Sequence, residues 1–127
     1  MNYVKLAYNS RSYDYKGGTS TEVQILGHFL ASDVRCSKES SPTYAEWALQ
    51  DRWGIGFTGN TTRVRKEDNY ILLSDLYSEE AIPTKVKMTP HQFVQLIEDW
   101  YEKVCKHKPK QVIIKHENDK FTIETSD

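Results

Sequence analysis

The forty residues "MTPHQFVQLIEDWYEKVCKHKPKQVIIKHENDKFTIETSD", Met88 to Asp127, carry the strongest structural signals in the chain. Thr89-Pro90-His91-Gln92 offers an N-cap, a proline at the first helical position and a glutamine placed for a capping box. Phe93, Leu96, Ile97, Trp100, Tyr101 and Val104 then recur at helical spacing as one apolar stripe, with Gln95, Glu98, Asp99, Glu102 and Lys103 opposite. Lys106, His107 and Lys108 suit the negative end of a helix dipole, and Pro109 forbids continuation. The pattern predicts one long amphipathic helix over residues 89–107. Beyond it, runs 111–117 and 120–125 flank Asn118-Asp119, the favoured chemistry of a two-residue hairpin turn. That register sets His116 opposite Phe121 and Ile114 opposite Ile123, with Glu117 and Lys120 as a cross-strand charge pair.

Upstream, Tyr3–Tyr8 reads as a strand, and "NSRSYDYKGG" (Asn9–Gly18) as a polar loop. Tyr13 and Tyr15 make that loop either a folded flap or a contact surface. Residues 19–35 satisfy two patterns. Thr19 with Glu22 fits a capping box, and Val23, Leu26 and Leu30 one helical face, while Val23, Ile25, Gly27 and Phe29 alternate as in a strand. The reading leans to helix. Ser41-Pro42 opens a short helix running to about Gln50, with Tyr44, Trp47 and Ala48 on one face. Strands at 61–66 and 70–77 form a hairpin, and 84–88 is a short strand. The expected architecture is α+β, a single globular domain over residues 1–127. A meandering antiparallel sheet packs against the long amphipathic helix and one or two shorter helices.

Gly54, Gly56 and Gly59 reproduce the spacing of a dinucleotide-binding turn. That turn works only between a buried strand and a helix N-terminus. Here Gln50–Trp53 is not a buried strand, and Thr61–Lys66 alternates β-branched and charged residues. The glycines are expected in a turn or bulge between strands.

The 127 residues carry a net charge of −1. Residues 43–83 hold four basic and seven acidic side chains, making the middle third mildly acidic. No long basic stripe marks a nucleic-acid surface. Two cysteines make no disulfide framework, and the composition suits a reducing compartment. The start of the chain has no apolar signal region, and no run approaches the ~20 apolar residues of a membrane span. A cytoplasmic protein is expected.

Chemistry is sparse. His28, His91, His107 and His116 show no metal spacing, and Cys105-Lys106-His107 is not a zinc pattern. No metal and no cofactor is expected. Cys105 reads as a packing residue near a helix end. The candidate carboxylates fall in apparent turns or on polar faces. What stands out is a surface joining acids to aromatics: Glu67, Asp68, Tyr70, Asp75, Tyr77, Glu79 and Glu80. These are the candidate partner-binding residues, the carboxylates steering a basic partner and the tyrosines anchoring it.

A small α+β chain without a catalytic motif, bearing a Tyr-rich and locally acidic surface, resembles the bacterial immunity proteins of polymorphic and contact-dependent toxin systems. The segment Met88–Asp127 is similar in style, with its capped helix, proline stop and terminal hairpin. Such proteins share no common motif, so no residue role carries over by position. The resemblance implies a non-enzymatic protein that binds one cognate toxin domain, basic and, in such systems, often a nuclease. The alternatives are a small enzyme with a carboxylate or histidine in a cleft near the glycine turn, and a nucleic-acid or adaptor module.

Overall fold

The computed structural model describes residues 2–36, 40–50 and 56–127, leaving aside the side chains of Ser40, Ser41 and Phe57. The chain is α+β, but its strands form two antiparallel sheets, not one meander. The first sheet contains β1 (Asn2–Tyr8), β2 (Tyr13–Gly18), β7 (Gln111–Glu117) and β8 (Lys120–Ser126), in the order β2-β1-β7-β8. The second joins β4 (Thr62–Glu67), β5 (Tyr70–Asp75) and β6 (Lys85–Met88), and short β3 (Gly56–Thr58) extends it beside β4. Local hairpins supply most pairings, whereas β1 with β7 joins opposite ends of the sequence, Val4 facing Ile114 and Leu6 facing Val112. No local signal announces that pairing.

The polar stretch 13–18, expected as loop, is strand β2. Tyr13 explains the difference. Its ring is buried against Trp100, centroids 5.7 Å apart, and its hydroxyl donates to the Pro109 carbonyl at 2.6 Å. Burial chiefly, with the nearby Tyr8 and Asp127, pushes the Tyr13 phenol up to about 12, so it stays a donor at neutral pH. Tyr15 stacks on His28 at 4.5 Å.

Residues 19–35 resolve into helix α1 (Thr21–His28), which runs on as a π-helical segment, Phe29–Val34. Ser20, not Thr19, caps it, accepting from the Val23 N–H, while Thr19 accepts from the Tyr3 N–H. The double pattern has a physical origin. The helix touches strands of both sheets, so Val23, Ile25, Leu26, Phe29 and Leu30 are all buried. A helix enclosed on several sides need not confine its apolar residues to one stripe. Gly27 faces β1 so closely that an added Cβ would lie 2.8 Å from Val4 Cγ2. Gly27→Ala is therefore expected to destabilise by about 1–2 kcal/mol, the overpacking cost exceeding the gain of about 1 kcal/mol in helix propensity. The midpoint of urea unfolding reads the sign; a rise would show that β1 yields freely.

Helix α2 (Ser40–Leu49) presents Tyr44 and Trp47 to Phe93, with Ala48 buried. Lys66, fully buried on β4, donates to the carbonyls of Trp47 and Gln50 and lies 4.7 Å from the Trp47 ring. An ammonium at these last carbonyls satisfies the helix end and pins it to the sheet.

The long helix expected over 89–107 is instead α3 (Pro90–Asp99) followed by a π-helical segment, Trp100–Cys105. Its capping box is present, Thr89 N–H to Gln92 Oε1 at 2.9 Å and Gln92 N–H to Thr89 Oγ1 at 3.1 Å. The change of winding is visible in the Lys106 N–H, which bonds back to Tyr101. With the wider turn, Trp100, Val104 and Cys105 are buried while Tyr101 is half exposed. Cys105 is thereby brought to Cys36, and the two form a disulfide, Cα atoms 5.2 Å apart. This corrects the reading of Cys105 as a packing residue.

The terminal hairpin has the expected register and a turn with positive φ at Asn118 and Asp119. His116 stacks on Phe121 at 4.2 Å. Its ion pair is Lys115–Glu124 at 2.8 Å, and among the described residues none joins Glu117 to Lys120.

Candidate functional site

The β4–β5 hairpin carries the predicted contact residues, and its geometry divides them. Asp68 and Asn69 form the turn, both with positive φ, as a twist-matched two-residue turn requires. Glu67 and Tyr70 face each other at that end, whereas Asp75 closes the far end of β5. Five residue steps of strand place the two groups about 17 Å apart. They are adjacent in sequence but not one patch.

At the turn end Glu67 and Tyr70 are engaged. Glu67 pairs with Arg65 at 3.3 Å. Tyr70 is half buried, with Lys87 Nζ 3.9 Å from its ring centroid. That tyrosine borders a cavity of about 490 Å³ beside β6, which also holds Glu22 and His116. His116 Nδ1 lies 3.4 Å from Glu22 Oε2, the one histidine–carboxylate pair among the described residues.

At the far end the residues are free of ion pairs among the described residues. Asp75 Oδ1 accepts the Tyr77 N–H at 2.9 Å, and Ser78 Oγ accepts the Glu80 N–H at 3.2 Å. These local bonds shape the chain from 75 to 80 without covering it. Tyr77 is 73% exposed and Ile82 is 86% exposed. Glu79 and Glu80 stand exposed between them. Ile82 was missed by sequence reasoning, although a lone branched aliphatic between Ala81 and Pro83 is a visible signal in a polar loop.

Beside this loop lies a cleft of about 250 Å³ against α1, bordered by Asp75, Tyr77, Thr61 and His28. Thr61 and Thr62, which follow Gly59, line it. Gly59 lies in the turn between β3 and β4, as expected, and Gly54 falls outside the described residues. An added Cβ at Gly59 would strike the Asp33 carboxylate. Asp33 is buried, and its Oδ1 accepts from the Thr61 N–H at 3.0 Å and hydroxyl at 3.3 Å. The glycine thus makes room for an acid that fastens the turn, a packing role with no phosphate in it. Asp33 also raises the Tyr44 phenol, after burial.

A second cavity, of about 520 Å³, opens where the two π-helical segments end. Its cations come from three separate stretches of chain, so no sequence run announced it. Among the described residues no group of three or more His, Cys, Asp or Glu could hold a metal ion, and no helix is long and apolar enough to cross a membrane. No protein-family model, no curated protein and no solved structure matches this chain.

Proposed function

We infer that the protein is a non-catalytic inhibitor of the toxin–immunity kind, and that its loop from Asp75 to Ile82 contacts one basic protein partner. The observation that supports this reading is the pairing of two exposed apolar side chains, Tyr77 and Ile82, with the carboxylates Glu79 and Glu80, which make no ion pair among the described residues. Apolar anchors beside steering charge are what a protein interface uses. Glu67, Asp68 and Tyr70 lie at the other end of the hairpin and belong to the proposed contact only if the partner is wide enough to span it.

The partner is to be captured from the native organism on tagged protein and identified by mass. A stoichiometric chain with a basic toxin-like domain is expected. Glu79→Lys with Glu80→Lys should then slow association about tenfold at low salt and far less above ~0.5 M, where exposed charges are screened. Tyr77→Ala should speed dissociation about tenfold or more. A partner retained unchanged by all three substitutions would remove the loop from the interface.

A small enzyme is the second reading, favoured by the His116–Glu22 pair beside Tyr70 in its cavity. A carboxylate can orient an imidazole for proton transfer. His116→Ala should abolish any such activity while leaving partner capture intact. The cytoplasmic location belongs to the inhibitor proposal, and the disulfide bears on it directly. Such bonds persist in oxidising compartments and are rare in the cytosol. Alkylation of free thiols at the moment of lysis reads whether Cys36 and Cys105 are paired in the cell.

A further inference from the structure

We propose that the cavity at the ends of the two π-helical segments binds a small phosphorylated molecule carrying a flat ring, of the nucleoside diphosphate class. Arg11, Arg35, Lys106 and Lys108 border it. Tyr8 and Tyr101 are half-exposed rings on its walls, and Trp100 and Tyr13 lie buried at its base. Its volume of about 520 Å³ is that of a small-molecule site. Among the described residues Arg11, Arg35 and Lys108 pair with no carboxylate, while Lys106 is tied to Glu102 at 3.0 Å. Asp127, whose charge reaches Tyr13, and two helix ends of about half a charge each offset part of the positive field. The balance stays positive in a chain of net charge −1.

The backbone adds an independent observation. Seven non-glycine residues among those described have positive φ. Asp68, Asn69, Asn118 and Asp119 sit in two-residue hairpin turns, and Ser10 in the turn between β1 and β2. The other two are Arg35 and Lys108, and both border this cavity. Arg35 has φ 57° and ψ −156°, a conformation that is almost exclusively glycine's. Lys108, φ 49°, donates its N–H to the Val104 carbonyl, closing the turn in the manner of a helix-terminal glycine. Two positions that favour glycine instead carry cations aimed at one hollow.

Arg35 is held there from three sides. Its N–H bonds to the Leu30 carbonyl at 2.8 Å, its own carbonyl accepts the Trp100 indole N–H at 2.8 Å, and the next residue is the disulfide-bonded Cys36. Its Nε donates to the Ser32 carbonyl at 2.8 Å, and among the described residues the terminal guanidinium nitrogens are left for a ligand. Strain kept in place by surrounding bonds, at a charged side chain in a cavity, is the pattern of a ligand clamp. The flanking tyrosine rings supply stacking surface for a base. None of these residues belongs to the loop from Asp75 to Ile82, so this site stands or falls apart from the inhibitor reading.

The test is calorimetric titration of the full oxidised chain with adenosine diphosphate at 50 mM and 150 mM salt. Saturable one-to-one binding that weakens with salt is expected, with adenosine and inorganic phosphate each binding much more weakly. Arg35→Gly should lose about tenfold or more in affinity, the scale of a charge-assisted contact. The same substitution should raise the melting temperature, because glycine relieves the backbone. Lys108→Gly should behave alike. A merely structural arginine would lower the melting temperature when removed. Absence of saturable binding, equal binding by inorganic phosphate, or full affinity in both variants would overturn the proposal.

Discussion

Cys36→Ser is expected to lower the melting temperature by about 15 °C. The disulfide links residues 69 apart in sequence. Closing a loop of that length in the unfolded chain removes entropy worth about 4 kcal/mol. For a chain of 127 residues, each kcal/mol shifts the midpoint by about 4 °C. Cys36 is exposed, so serine there leaves no apolar cavity. Wild-type protein melted in excess reductant should match the variant. Identical midpoints with and without reductant, in protein shown by mass to carry the bond, would contradict a stabilising role. The result decides more than stability. A chain that needs the bond would be weakened wherever thiols are kept reduced.

Trp100→Ala is expected to cost about 4 kcal/mol, the middle of the range for a buried aromatic. Trp100 is fully buried, edge-on to Tyr13, and its indole N–H is the donor to the Arg35 carbonyl. Trp100→Phe keeps a six-membered ring in place but removes that donor and leaves a smaller cavity, so its cost should fall to about 1–3 kcal/mol. Guanidinium unfolding of both variants reads the two costs. A loss below about 1 kcal/mol for Trp100→Ala would place the core's weight elsewhere. Combined with Cys36→Ser, the effect should be non-additive, because the ring and the disulfide hold the same corner of the chain.

What could be read from the sequence follows the range of the forces involved. The capping box of Thr89 and Gln92 and the turns at Asp68-Asn69 and Asn118-Asp119 are settled within four residues, and all three are present. The start of α2 was placed within two residues of its position by Ser41-Pro42. Everything that depends on a distant partner was hidden. Strand β2 looks like a loop until Tyr13 finds Pro109 and Trp100. Helix α1 shows two periodicities because it packs against strands of both sheets and buries more than one stripe. The π-helical turn at Trp100 has no signature in an unbroken apolar stripe, and without it Cys105 has no reason to meet Cys36. The arrangement of the candidate contact residues was hidden in the same way. Seven residues close in sequence were expected together, but an extended hairpin separates its two ends. Only Asp75, Tyr77, Glu79 and Glu80 remain on one exposed loop, joined there by Ile82. The basic cavity, drawn from residues 11, 35, 106 and 108, could not be assembled from spacing at all.

The pairing of β1 with β7 sets the order in which this molecule can be completed. Lys5 waits for Ile113 and Leu6 for Val112 across more than a hundred residues of chain. During vectorial synthesis the β4–β5 hairpin can close as soon as it emerges, since its contacts are local. The first sheet cannot: β1 and β2 remain a two-stranded ribbon, marginal by itself, with an open edge on β1 until β7 arrives. Contacts of such high sequence separation fold slowly, and the waiting edge is the template on which another chain could pair by mistake. The sheet that shapes one side of the molecule is thus also its period of greatest exposure to aggregation.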